Sequence, residues 1–151
     1  MTLTPKEHSL LCDLKGEEEL CIEKYTRYES LANDKTLKSI FSEIKSTEQN
    51  HLQNINKMIQ GEEVKVDAPK SAVSVLRDMQ PSSLSKTEKD EDAYLCRDAL
   101  SMEKHVSSLY DTTVFEFRNP TLRDTLASIQ KQEQNHGEEI YTYMAVNGMY
   151  S

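Results

Sequence analysis

The chain has 151 residues, the size of a single domain, with 29% charged and 36% apolar residues. Its formal charge of −8, with no run of Lys or Arg, argues against nucleic-acid phosphates as a partner. No apolar run approaches the roughly 20 residues of a membrane span, and residues 1–7 lack the basic and apolar regions of an export signal, so neither membrane insertion nor secretion is expected.

The first predicted helix opens at Thr4-Pro5-x-Glu7, an N-cap, a proline at the first helical position and a capping glutamate. It runs to about Ala32 with an apolar stripe at Leu11, Leu14, Glu18, Cys21, Tyr25, Tyr28 and Ala32. Asn33-Asp34 is a short turn whose aspartate caps helix 2, which ends near Gly61 and carries the stripe Leu37, Phe41, Ile44, Glu48, His51, Ile55, Met58. The segment from about 61 to 87 breaks the pattern with Pro69, Pro81 and a serine-rich stretch, and residues 71–79 could form a short helix inside it. A connection that long fits a crossover between two parallel helices. Ser85-x-x-Glu88 caps helix 3, whose stripe is Cys96, Ala99, Glu103, Val106, Tyr110, Thr113, Phe117. Asn119-Pro120 ends helix 3 and starts helix 4, with Leu122, Leu126, Ile129, Glu133, His136, Ile140 and Tyr143 on its stripe and Asn147-Gly148 as its end. Four such helices, with only four Gly and four Pro in the chain, predict an all-α four-helix bundle.

The two halves repeat at an offset of 85 without a gap. Leu10 aligns with Leu95, Asp13 with Asp98, Glu18 with Glu103 and Tyr25 with Tyr110. Glu48-Gln49-Asn50-His51 aligns with Glu133-Gln134-Asn135-His136. The fold is therefore read as hairpin 1 (about 5–60), a crossover (about 61–87) and hairpin 2 (about 88–147) in one domain spanning 1–151. Within each hairpin the two stripe glutamates lie about equally far from the bend, so they share one height in the bundle.

Glu18, Glu48, His51, Glu103, Glu133 and His136 thus occupy faces that otherwise read as core. Burying unpaired carboxylates costs several kcal/mol each, and four converging carboxylates repel. A pair of divalent metals answers both objections. In Glu-x-x-His the two side chains are separated by about one helical turn and face one side of the helix. One such motif is weak evidence. Two in register, each with a glutamate on the preceding helix, match the ligand set of dimetal carboxylate bundles. The competing reading is a metal-free buried hydrogen-bond network.

Tyr25 and Tyr110 lie two turns from the stripe glutamates, where a hydroxyl could support a ligand carboxylate; a core tyrosine satisfied elsewhere is the alternative. Glu17, Glu19 and Glu23 read as a solvated face, with Glu19 a substitute ligand if the register shifts by one. Glu116 borders the stripe of helix 3 as a candidate extra ligand. His8 and His105 read as surface histidines. Asp13 and Asp98 could orient ligand histidines, though a helix-surface place fits them better. The odd number of cysteines, with no Cys-x-x-Cys, gives neither a disulfide framework nor a zinc ribbon and suits a reducing cytoplasm. Cys12, Cys21 and Cys96 are expected as small buried hydrophobes.

The stretch 99–111 (ALSMEKHVSSLYD) resembles helix 3 of the spore coat protein F family, as do Phe115-Glu116-Phe117-Arg118-Asn119-Pro120, Gln132-Glu133-Gln134-Asn135-His136-Gly137 and Asn147-Gly148-Met149-Tyr150. The resemblance is close over about 93–151 and reaches the first half mainly through the repeat. That family is similar to the ferritin-like superfamily of rubrerythrins, bacterioferritins and manganese catalases. The resemblance implies a ferritin-like antiparallel bundle, synthesis in an endospore former and deposition in the spore coat. It implies coat proteins or a second copy, as a dimer, for partners. It also implies two iron or manganese ions, with zinc as an alternative, in a centre reacting with peroxide or oxygen as a peroxidase, catalase or ferroxidase would. Glu18 and Glu103 would be terminal ligands, Glu48 and Glu133 bridges, and His51 and His136 one nitrogen ligand per metal. With no Cys-x-x-Cys pair in these residues, the cysteine-ligated iron domain of full rubrerythrins is not expected. The other function class is a purely structural coat or interaction protein whose metal site is empty or vestigial.

Overall fold

The computed structural model describes residues 1–67, 69 and 79–150. Four helices are present among them: α1 (Pro5–Leu31), α2 (Lys35–Ile59), α3 (Lys86–Glu116) and α4 (Pro120–Val146), with no strand. The suggested short helix at 71–79 falls, apart from Met79, outside the described residues.

The capping signals act where the sequence puts them. Thr4 and Glu7 form a reciprocal capping box, as do Ser85 and Glu88. Asp34 accepts from the Thr36 N–H and Asn119 from the Leu122 N–H. The ends differ by a few residues from the sequence reading: Ala32 is the C-cap of α1, and α3 stops at Glu116 rather than running to Asn119. Gly61 follows the end of α2 at φ 86°, and Gly148 follows α4 at φ 64°, the left-handed conformation that lets a helix C-terminus turn away.

Every stripe position is buried. Each helix therefore turns one face inward, where the sides of four helices meet. Helix α1 lies beside α2 and α3, while α4 lies beside α3 and α2. Contacts between hairpins set the direction of the helices. Tyr25 meets Glu103 while Tyr110 meets Glu18, so α1 and α3 are antiparallel. His51 meets Glu133 while His136 meets Glu48, so α2 and α4 are antiparallel as well. It follows that α2 and α3, on the diagonal, run parallel.

That relation explains the long connection. At its start, Val64 is buried and its carbonyl accepts from the Thr125 hydroxyl, near the beginning of α4. At its end, the Ser82 N–H and hydroxyl both donate to Asn147 Oδ1, each at 2.8 Å, just beyond the end of α4. At about 1.5 Å per helical residue, those two points are roughly 33 Å apart. The chain between them carries the backbone from one end of the bundle to the other.

Candidate metal centre

Glu18, Glu48, Glu103 and Glu133 all lie near the middle of their helices, and all four are buried, with His51 and His136 beside them. All six side chains converge on one region of the core. The His51 Nδ1 is 2.9 Å from Glu133, 3.5 Å from Glu48 and 3.6 Å from Glu18. The His136 Nδ1 is 3.0 Å from Glu48, 3.4 Å from Glu103 and 3.6 Å from Glu133. The cluster divides into two overlapping sets, Glu18–Glu48–His51–Glu133 and Glu48–Glu103–Glu133–His136, each with ligand atoms within 4.8 Å of one another. Glu48 and Glu133 belong to both sets, and the two imidazole rings are stacked at 6.1 Å.

The hydrogen-bond inventory isolates this cluster. Eight buried side-chain nitrogen and oxygen atoms among the described residues lack a hydrogen-bond partner: Glu18 Oε2, both oxygens of Glu48 and of Glu133, Glu103 Oε2, and Nδ1 of His51 and His136. All eight belong to the six residues. Buried polar atoms are normally paired, because an orphan costs about 1–3 kcal/mol or more when charged. Asp92 supplies the contrast. It is equally buried, yet it accepts the N–H groups of Asn33 and Asp34 at 2.8 and 3.0 Å.

The donor set and spacing suit metal ions. Donors held about 2.0–2.2 Å from one ion, at angles between 90° and tetrahedral, sit roughly 2.8–3.6 Å apart. The imidazole–carboxylate separations fall in that interval. Oxygen and imidazole donors suit iron, manganese or zinc, and the donor types alone do not choose among them.

Protonation in the metal-free cluster follows from burial. Desolvation pushes the Glu18 carboxyl up to about 8, and Glu48 beside it adds to the rise. Desolvation likewise raises Glu133 well above the usual carboxylate range, helped by Glu103 and Glu48. Glu48 is different: burial opposes its charge, but the Glu18 carboxyl and the nearby His136 and His51 imidazoles hold it well below that range. Burial also opposes charge on the imidazoles, yet the surrounding carboxylates hold both histidines well above their ordinary value. Without a metal, protons therefore supply the positive charge the carboxylates need.

The tyrosines pair across the hairpins. The Tyr110 hydroxyl donates to Glu18 Oε1 at 2.5 Å, and the Tyr25 hydroxyl donates to Glu103 Oε1. Burial, followed by the neighbouring carboxylates, raises both phenols well above their usual value, so each stays a donor. One contributor escaped the sequence reading. Gln132 places its side-chain oxygen against His51 Nε2, fixing that ring through its far nitrogen. Its repeat counterpart, Thr47, bonds instead to the Glu43 carbonyl at 3.3 Å, so the repeat gave no hint of it.

The remaining candidates lie elsewhere. Glu116 is exposed and pairs with Lys6 at 2.8 Å, away from the cluster. Glu19 faces Lys15 at 3.9 Å, Glu23 pairs with Arg27 at 3.0 Å, and Glu17 approaches the exposed His105 at 3.7 Å. Asp98 accepts from the Tyr28 hydroxyl and pairs with Lys24 at 3.4 Å, while Asp13 is exposed, so neither orients a histidine. Cys21 and Cys96 are buried as expected. Cys12 is not: it lies on the exposed face, where its sulfur meets His8 Nδ1 at 3.7 Å. Its position falls one residue past Leu11, off the stripe.

The fold and cluster together define a helical bundle with a buried carboxylate–histidine centre. Residues 91–151 match the family model described as the Coat F domain, so the resemblance to the spore coat protein F family holds across most of the second hairpin. No curated protein and no solved structure matches the chain.

Proposed function

We propose that this chain is a ferritin-like spore-coat protein whose six buried residues hold two divalent metal ions. The observation that carries the reading is the concentration of all eight orphaned polar atoms in those six residues. The Coat F match supports the coat setting. In this reading Glu18 and His51 would hold one ion and Glu103 and His136 the other, with Glu48 and Glu133, which belong to both sets, as the shared bridging ligands. Four carboxylates then balance two divalent cations, and the formal charge of the chain becomes −8 + 4 = −4.

Bound iron or manganese supplies electron exchange with peroxide or oxygen, chemistry that would protect a dormant spore. The protein's own side chains provide the frame for it. Tyr110 and Tyr25 hold the outer glutamates in place by donating to one oxygen each, leaving the other oxygen free. Gln132 fixes His51 so that its Nδ1 faces the cluster.

The competing reading is structural. The close His51–Glu133 and His136–Glu48 pairs, at 2.9 and 3.0 Å, would also serve a protonated, metal-free network. Metal analysis of untagged protein, loaded anaerobically with iron(II) or manganese(II), separates the two. Two ions per chain are expected, falling to one or none in Glu48→Ala and Glu133→Ala, with loss of any peroxide consumption. Wild-type protein that takes up no transition metal would leave the structural reading in its place.

A further inference from the structure

The two halves of the bundle share their ligands but not their outer walls. Between α3 and α4 a cavity of about 390 Å³ opens on the surface, lined by Leu100, Glu103, Lys104, Ser107, Glu133 and Gly137 among others. Two of those residues are cluster glutamates, one from each helix of the hairpin. A second cavity of about 330 Å³ adjoins it, sharing Leu100 and Lys104 and adding Arg97.

Gly137 contributes no side chain to the wall of this opening. A Cβ at this position would sit 3.6 Å from Leu100 Cδ1, an ordinary contact, and both residues line the opening. The offset of 85 supplies an internal control. The same positions on the α1–α2 wall are Leu52 for Gly137, Ile22 for Ser107 and Glu19 for Lys104. Leu52 and Ile22 are half-buried, with apolar bulk where the other wall has a glycine and a serine. The charge at the mouth differs as well, because Glu19 on the other wall faces Lys15, the counterpart of Leu100, at 3.9 Å. Lys104 is exposed and makes no ion pair among the described residues.

We propose that the Gly137 notch is the entrance through which a small anion reaches the Glu103–Glu133 edge of the metal centre, with Lys104 selecting its charge; this rests on the metal-binding reading above. A cationic side chain at the mouth of a narrow opening concentrates anions there, and the effect weakens as salt screens it. The opposite wall carries leucine and isoleucine where this one has glycine and serine, and its glutamate faces Lys15.

Azide is the probe, and cobalt(II)-loaded protein gives a visible absorption band that reports ligand binding directly. Stopped-flow association should be slowed roughly tenfold or more by Gly137→Leu, which restores the residue of the first hairpin, and less by Gly137→Ala. Lys104→Glu should slow it roughly three- to tenfold at low salt, with the difference shrinking as salt rises. Cobalt stoichiometry should stay at the wild-type value in all three. Unchanged azide rates in fully loaded Gly137→Leu overturn the proposal. If that variant fails to fold or load, unchanged rates in both Gly137→Ala and Lys104→Glu overturn it equally. Wild-type protein that binds no cobalt overturns the metal reading itself, a failure visible before azide is added, and the proposal falls with it.

Discussion

Tyr25 and Tyr110 each reach from one hairpin to the outer glutamate of the other. Their positions two turns from Glu18 and Glu103 were visible in the sequence, but the exchange of partners was not. It depends on α1 and α3 running antiparallel at a register that no stripe encodes. Replacing Tyr25 or Tyr110 by Phe keeps the ring and removes one donor. Supporting hydrogen bonds of this kind are worth roughly 10–100-fold in metal affinity. Competition titration against a chelator should therefore find weaker binding of that order in either variant, with helical content unchanged. Normal affinity in both would mean the hydroxyls only satisfy the core.

At the level of elements, the stripes and caps carried nearly all of the fold, because an amphipathic helix writes its buried face directly into its periodicity. Hairpin turns were equally plain from Asn33-Asp34 and Asn119-Pro120. What the pattern could not give was the identity of the polar groups that lock helices together. Asp92 sits one turn before Cys96, so it extends the α3 stripe, yet its partners are backbone N–H groups in the α1–α2 turn far away in sequence. Tyr143 completes this end by donating to Asp34 Oδ2 at 2.6 Å. Asp92→Ala leaves two turn N–H groups without their acceptor. A loss of about 2–3 kcal/mol is expected from urea unfolding, with the m-value unchanged. Gln132 escaped for a related reason: it serves a histidine on the opposite hairpin, and the internal repeat holds a threonine in its place.

For the whole molecule, the buried cluster couples stability to pH and, in the proposed metal-bound form, to metal. The groups facing one another are Glu18 and Tyr25 from α1, Glu48 and His51 from α2, Glu103 and Tyr110 from α3, and Glu133 and His136 from α4. Glu18 is raised to about 8, and Glu133, His51 and His136 are raised too. A raised value means the folded state holds the proton more tightly than the unfolded chain. Its contribution is full below the unfolded value and is lost as pH rises through the folded one. Glu48, held low, works the other way. Its contribution changes only below about pH 4.5, so between about pH 4.5 and 8 the metal-free protein should lose thermal stability. Metal reverses the trend, because it displaces those protons and binds better as pH rises. At free metal near 1,000 times its Kd, linkage adds about 4 kcal/mol, or roughly 8–16 °C in Tm. Thermal scans of loaded and chelator-treated protein across that pH range test both slopes. Parallel curves would show that the cluster never exchanges protons for metal.

The crossover from Val64 to Ser82 has a stoichiometric consequence. The Coat F match covers most of the second hairpin, and that hairpin carries only Glu103, Glu133 and His136. A polypeptide of that length would own half a donor set and could complete it only by meeting another hairpin, at a yield set by its concentration. Here the strap tethers the second half to the first. Assembly of the centre becomes intramolecular, with an effective local concentration that dilution cannot lower. The tether also frees the halves to diverge, because a symmetric pair of hairpins must repeat every residue, whereas a tethered pair can keep glycine on one wall and leucine on the other.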